Sequence, residues 1–169
     1  MPAMKYPYKI SFPRGYIRKI KDLDCRWPYL SYERKRTMAC VIQLCDINRW
    51  NLNVWRIGLT AGNLWEWHST IPVIALIETL LIEYYYQNGW SSGDLKFKKA
   101  IDLCNSKGVY PQKIRDDLHI LRDYRNEVHI FLKDKVEMHD GIPKKYNKAV
   151  NMLKSIESCI MKHWENKCD

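Results

Sequence analysis

The stretch STIPVIALIETLLIEYYYQNG, residues 69–89, decides the fold class of this chain. Its apolar side chains recur every three or four positions, which is the spacing of one face of an α-helix. This stripe consists of Ile74, Ile77, Leu81 and Tyr85, with Leu80 and Tyr84 beside it. The flanking residues predict the ends of the helix. Ser69 or Thr70 is expected to cap it, Pro72 to lie in its first turn, and Asn88-Gly89 to stop it.

The same periodicity recurs on both sides of this helix, and strand signals are weak throughout. Capping residues and glycine stops delimit the other predicted helices. Before the central helix, one helix begins at Ser31 and runs to about Trp50. After it, one begins at Ser92 and stops at Gly108, one begins at Pro111 and runs to about Lys133, and one covers residues 143–165. The sequence therefore predicts an all-α fold, an antiparallel helical bundle of four to five helices over residues 31–169.

Residues 1–30 form a basic, Pro/Tyr-rich arm that we expect to be irregular. The whole chain of 169 residues carries a formal net charge of +9, which favours polyanionic partners. Cations interleaved with aromatic rings suit a nucleic-acid backbone with stackable bases, although the arm could equally pack its rings on the bundle. The candidate RNA-binding residues are Lys5, Lys9, Arg14, Arg18 and Lys19 in the arm, and Lys144, Lys145 and Lys148 in the last helix.

The cysteines and the apolar segments narrow the class of protein further. No cysteine pair has the spacing of a zinc site, so we expect no metal, and no cofactor motif is present. Cys40, Cys45, Cys104 and Cys159 fall on helical stripes and are predicted to be reduced core residues. No segment resembles a signal peptide or a membrane span, so the sequence predicts a cytoplasmic protein without a membrane partner.

One polar strip in the fourth predicted helix carries candidate chemistry. Its members share about a third of the helix circumference beside an apolar stripe. They are Arg122, Arg125, Asn126 and His129. Guanidinium groups bind phosphate oxygens and an imidazole transfers protons near neutral pH, so the set suits cleavage of a phosphodiester by a ribose 2′-hydroxyl. Alternatively, Asp123 and Glu127 neutralise the arginines and the strip is structural.

The segment RDYRNEVH, residues 122–129, resembles the signature of the HEPN superfamily, whose all-α domains carry an Arg-x(4–6)-His motif. Arg125-Asn126 followed by His129 resembles its RN-x-x-H variant, and the run IALIETLL resembles an earlier family helix that carries a glutamate, here Glu78. The resemblance implies a homodimer in which both motifs meet at one cleft. It also implies a metal-independent endoribonuclease of toxin–antitoxin or antiviral systems. Whether Arg122 or Arg125 is the family arginine stays open.

Two further polar residues are assigned supporting roles. Glu78 lies among apolar residues and needs a partner, for which Arg122 or Arg125 is the candidate. His119 precedes His129 by nearly three helical turns and is either structural or an RNA contact. The leading hypothesis is thus an RNA-cleaving homodimer, with an antitoxin or activator protein as a possible partner. The alternative is a non-catalytic HEPN-like module that binds RNA or protein.

Overall fold

The computed structural model describes residues 17–23, 27–54, 59–90, 93–128 and 142–168. All regular structure within these residues is helical, which confirms the all-α prediction. The helices are α1 (Ile20–Leu23), α2 (Tyr32–Val54), α3 (Leu59–Gln87), α4 (Phe97–Ser106), α5 (Gln112–Val128) and α6 (Ile142–Cys168). None of them is both long enough and apolar enough to cross a membrane.

Contacts between their side chains give the directions of the four long helices. Arg34 near the start of α2 pairs with Glu83 near the end of α3 at 2.8 Å, so these two helices are antiparallel. α5 and α6 are also antiparallel. Lys148 pairs with Asp117 at 2.7 Å, and Lys145, nearer the start of α6, lies 4.1 Å from the ring centroid of Tyr124, nearer the end of α5.

α3 and α6 run in the same direction, as contacts at both of their ends show. At their C-terminal ends the Tyr84 hydroxyl lies 2.6 Å from Nδ1 of His163. Towards their N-terminal ends, Tyr124 of α5 lies between them, 6.3 Å from the Trp67 ring and under Lys145. His163 also lies 5.8 Å from the Tyr84 ring and 6.0 Å from the Trp90 ring, so it packs with the aromatic residues of the core.

The core is built around the stripe that was read from residues 69–89. The four residues of the stripe and the two beside it are all buried, and they pack with residues of α2, α4, α5 and α6: Ile74, Ile77, Leu80, Leu81, Tyr84 and Tyr85. The predicted glycine stops are confirmed. Gly89 follows α3 with φ of 66° and Gly108 follows α4 with φ of 75°, a backbone region that glycine enters without steric cost.

The predicted start of the central helix is wrong. Ser69 and Thr70 do not cap it, because α3 already begins at Leu59 and Pro72 lies inside it. Both residues are buried, and their hydroxyls donate to the carbonyls four residues earlier, at 2.7 Å for Ser69 and 2.9 Å for Thr70. These bonds satisfy the two buried hydroxyl groups within the helix.

The other predicted helix starts have mixed outcomes. Ser31 caps α2, since its Oγ accepts a bond from the Arg34 N–H at 3.3 Å, and Pro111 precedes α5 as predicted. Ser92 does not cap α4, because that helix begins only at Phe97 and Lys96 is its N-cap residue. The predicted end of the fourth helix near Lys133 lies outside the described residues.

The second half of the predicted arm is folded onto the bundle. α1 follows Arg18, and the aromatic residues Trp27 and Tyr29 are buried in the core. The Trp27 indole N–H donates to Glu157 of α6 at 3.2 Å. Residues 17–23 and 27–30 therefore belong to the packed structure. The rest of the predicted arm, residues 1–16 and 24–26, lies outside the described residues.

The cysteine prediction holds for two of its four residues. Cys45 and Cys104 are buried, and burial raises the pKa of each thiol to about 12. Cys40 is exposed, because the buried face of α2 is formed by Met38, Ala39 and Ile42 around it. Cys159 is only partly buried.

Candidate functional site

The candidate site lies on α5, where polar side chains occupy the face beside the core. Leu118, Leu121 and Tyr124 are buried, and they fix the rotation of the helix. Among the predicted catalytic residues, Arg122 and Arg125 lie at the margin of this buried face and Asn126 is exposed. His129 lies outside the described residues, just beyond Val128, with which α5 ends as described.

Arg122 is held in place on two sides. Its Nε donates to Oδ1 of the neighbouring Asp123 at 3.1 Å, and its Nη2 donates to the same oxygen. On the other side Nη1 lies 3.1 Å from Nδ1 of His119, one turn earlier on the helix. The side chain of Arg122 is 19% exposed, whereas that of Asp123 is 59% exposed. Water therefore reaches the carboxylate much more freely than it reaches the guanidinium.

Arg125 faces the core and is the partner that Glu78 needs. Its Nη1 lies 2.5 Å from Oε2 of Glu78 on α3, and the two side chains are 30% and 22% exposed. The sequence left Arg122 and Arg125 as alternative partners, and the structure pairs Glu78 with Arg125. This ion pair links α5 to α3 and takes up one end of the Arg125 guanidinium.

A carboxylate that the sequence analysis missed joins the strip from α4. Oδ1 of Asp102 accepts from Nε of Arg115 at 2.7 Å and lies 3.0 Å from Nε2 of His119. Arg115, with His119 contributing, holds the pKa of Asp102 below its usual value. Arg115, His119 and Arg122 are three or four positions apart and share one face of α5, so this spacing could have identified Arg115 as a member of the strip. No such signal pointed to Asp102, because it lies on α4 and comes close to these residues only where the chain turns between α4 and α5.

Among the predicted RNA-binding cations that the structure describes, three are engaged by other side chains of the protein. In α6, Lys148 is paired with Asp117, and Lys145 lies over the Tyr124 ring. In the arm, Arg18 makes a bidentate pair with buried Asp46 at 2.9 Å for each bond, while Lys19 is exposed. The predicted contacts Lys5, Lys9 and Arg14 and the side chain of Lys144 lie outside the described residues.

The described surface contains no deep ligand cavity near these residues. A shallow depression of about 490 Å³ lies between α5 and α6, lined by Asp117, Lys148 and Met152 among others, and Arg122 does not line it. Across the described residues, no three His, Cys, Asp or Glu side chains cluster in a way that could hold a metal ion. The candidate chemistry therefore depends on the polar strip of α5.

Comparison with protein-family models, with curated proteins and with solved structures finds no match. No family is assigned to the chain on this basis, and its functional interpretation depends on the residues themselves.

Proposed function

We propose that the chain is a metal-independent endoribonuclease of HEPN type that acts in a toxin or antiviral-defence context. The observation that carries this proposal is the setting of Arg122: a mostly buried guanidinium, fixed by His119, on the helix face that leads to Asn126. His129 enters the proposal through the RDYRNEVH motif, residues 122–129. A fixed guanidinium beside a core suits phosphate binding because little reorganisation is needed when negative charge develops.

In the proposed reaction the ribose 2′-oxygen attacks the adjacent phosphorus and the bond from phosphorus to the 5′-oxygen breaks. His129 accepts the proton of the 2′-hydroxyl and later returns a proton to the leaving oxygen. Arg122 donates hydrogen bonds to the non-bridging oxygens and stabilises their charge. The products are a 2′,3′-cyclic phosphate and a 5′-hydroxyl, and DNA is not cleaved because it lacks the nucleophile.

The two arginines have different roles in this proposal. Arg125 is engaged with Glu78 across two packed helices, so its contribution is to fix the register of α5 against α3. Arg122 is paired with the well-exposed Asp123, and an exposed ion pair contributes only about 0–1 kcal/mol. Asp123 therefore competes only weakly with a phosphate for Arg122, and Arg122 is assigned as the phosphate ligand.

The partners belong to the same proposal. RNA is the substrate, and the net charge of +9 adds an attraction that does not depend on its sequence and weakens with salt. A homodimer supplies two copies of the motif to one composite cleft, as the family resemblance implies. An antitoxin or activator protein is a further candidate partner that the cleavage reaction itself does not require, and the protein acts in the cytoplasm.

A second candidate function is favoured by the ion pairs themselves. Both Arg122 and Arg125 already have carboxylate partners within the chain, which is the usual state of arginines in a structural strip. In this case the domain is a non-catalytic HEPN-like module that binds RNA or a protein.

The deciding experiment is digestion of a uniformly labelled RNA by the full chain in excess EDTA. We expect cleavage that survives chelation and leaves 2′,3′-cyclic phosphate ends. His129→Ala should lower the rate by about 10²–10⁴-fold and Arg122→Ala by about 10²–10³-fold. A composite cleft predicts that mixing these two inactive variants restores part of the activity, since a mixed dimer retains one intact copy of each residue.

Two matched variants separate chemistry from folding and charge. His68→Ala removes an exposed histidine of α3, and Arg36→Ala removes an exposed positive charge of α2. Both should cleave at the wild-type rate. If the wild-type protein and both controls are folded and leave the RNA intact, with or without divalent metal, the nuclease proposal is wrong and the binding module is favoured.

A further inference from the structure

Three side chains from α4 and α5 form a continuous chain of hydrogen bonds that ends at the proposed phosphate ligand. Asp102 Oδ1 lies 3.0 Å from Nε2 of His119, and Nδ1 of the same ring lies 3.1 Å from Nη1 of Arg122. Both ring nitrogens of His119 are thereby engaged. Its side chain is 20% exposed, close to the value for Arg122.

The chemistry of the two ends fixes the direction of these bonds. A guanidinium has only donors, so Nδ1 of His119 must be the acceptor in its contact with Arg122. A neutral imidazole carries its proton on one nitrogen, which places that proton on Nε2, where it is donated to the carboxylate of Asp102. The arrangement therefore requires the neutral Nε2–H tautomer of His119, with Asp102 ionised.

We propose that Asp102 and His119 are positioning residues that orient the Arg122 guanidinium towards the substrate phosphodiester. This inference depends on the proposed ribonuclease function. It assigns His119 neither a proton-transfer role nor a direct RNA contact, since both of its nitrogens are committed to Asp102 and Arg122.

The donors of Arg122 show what this arrangement leaves for a substrate. A guanidinium has five N–H donors. Within the described part of the chain, three are used: two on Asp123 and one on His119. Two N–H groups remain, one on each terminal nitrogen, and such a pair suits two oxygens of one phosphate. Without His119, the guanidinium keeps only its bonds to an exposed carboxylate.

Arg115 explains how Asp102 stays ionised in this position. Its Nε donates to the same oxygen that faces His119, and it is the largest cause of the lowered pKa of Asp102. Asp116 lies 3.6 Å from the other end of Arg115 and balances that cation. The carboxylate of Asp102 is therefore held as an acceptor for the imidazole.

The hydrogen-bond geometry can be tested without any activity assay. Long-range ¹H–¹⁵N spectra of the full chain at pH 8, where an ordinary histidine is neutral, should show His119 in the Nε2–H form. Asp102→Ala should convert its ring to a mixture of tautomers. Arg122→Ala should shift its Nδ1 resonance, and the control Arg36→Ala should not. An Nδ1–H tautomer in the wild type, or an Nδ1 resonance unmoved by Arg122→Ala, would overturn the positioning role.

The effect on cleavage is tested with two substitutions of His119. Glutamine offers one acceptor and an N–H donor, so His119→Gln can bridge Arg122 and Asp102, whereas His119→Leu can do neither. We expect His119→Leu to lower kcat about tenfold with little change in KM, and His119→Gln to retain kcat within about threefold. Melting temperatures of the two variants show whether either change reflects unfolding.

The outcomes separate the two proposals. If the wild type cleaves RNA and folded His119→Leu retains full kcat, the positioning role is wrong while the nuclease function stands. If the wild type does not cleave RNA, the nuclease function fails, and the positioning role towards a substrate phosphate fails with it. A spectrum with the Nε2–H tautomer would then identify the three residues as a structural link between α4 and α5.

Discussion

Water access distinguishes ion pairs that look alike in the sequence. Arg122 with Asp123 and Arg125 with Glu78 are both arginine–carboxylate pairs, yet Asp123 is 59% exposed and Glu78 is 22% exposed. Solvent screens the carboxylate of the first pair, whereas both side chains of the second pair are less than one third exposed. For this reason the proposed function gives phosphate binding to Arg122 and helix registration to Arg125.

The cysteines provide a prediction at the residue scale. Iodoacetamide reacts with thiolates, and burial raises the pKa of Cys45 and of Cys104 to about 12, so neither thiol ionises near neutral pH. Cys40 is exposed on α2. In the native protein at pH 7.5 we expect Cys40 to be alkylated at least tenfold faster than Cys45 or Cys104, measured by peptide mass spectrometry over time.

Unfolding in guanidinium supplies the control for this labelling, since all three thiols should then react at similar rates. Rapid native labelling of Cys104 would contradict the packing of α4 against α3, because its Sγ lies 3.8 Å from the Leu81 carbonyl oxygen. Native protection of Cys40 would show that a partner or a second copy covers that face of α2.

At the scale of single residues, the sequence indicated which side chains need a partner better than it indicated which partner they have or how far they are buried. The apolar neighbours of Glu78 indicated that it needs a cationic partner on the fourth predicted helix, but they left Arg122 and Arg125 as alternatives. It could not predict Asp102 next to His119, because that contact depends on the angle between α4 and α5. It misassigned Cys40, because a helix face is about 100° wide and one position decides between core and solvent.

At the scale of single elements, the ends of helices were easier to predict than the beginning of α3. Gly89 and Gly108 adopt positive φ, which few other residues enter, so a glycine after a periodic segment is a strong stop signal. Ser69, Thr70 and Pro72 form an equally familiar start signal. Inside a long buried helix these three residues are tolerated. The hydroxyl bonds of Ser69 and Thr70, together with the packing of the helix, outweigh the preference of the three residues for a helix start.

Pro72 provides the prediction at the element scale. It lies inside α3, where it cannot donate to the carbonyl of His68, four residues earlier, and its ring crowds that carbonyl. Pro72→Ala restores the missing donor, and we expect it to raise the free energy of unfolding by about 2 kcal/mol. This is less than the roughly 3 kcal/mol that proline costs in a helix interior, because proline also restricts the unfolded chain. Urea denaturation followed by circular dichroism measures the change.

Ala75→Gly, three residues further along α3, is the matched opposite change. It should lower stability by about 1 kcal/mol, because glycine is a poorer helix former than alanine. A loss of stability in Pro72→Ala would contradict this prediction and would mean that the packing of α3 requires the proline ring or a bend that it introduces.

At the scale of the whole molecule, contacts distant in sequence close the bundle. Trp27 donates to Glu157 across 130 positions of sequence, and the Tyr29 ring lies 5.3 Å from that of Tyr84 at an edge-to-face angle of 77°. Arg18 binds the buried Asp46 through both its backbone and its guanidinium. The five helices α2–α6 agree with the four to five predicted for residues 31–169. The attachment of the segment before them was not predicted, because proline-rich segments carry no periodicity from which a packed face can be recognised.

This attachment makes the response to truncation the prediction for the whole molecule. Deleting residues 1–30 removes four buried side chains, Leu23, Trp27, Tyr29 and Leu30, and leaves Asp46 without its bidentate partner. Burial of one large apolar side chain contributes about 1.5–3 kcal/mol, and a domain of this size is stable by only about 5–15 kcal/mol. We expect the truncated chain to lose its cooperative thermal transition.

A chain that begins at residue 17 keeps every contact described above and should retain that transition. If the chain without residues 1–30 shows the same thermal transition as the full chain, residues 17–30 are an appended arm, and the core is the bundle of residues 31–169 alone.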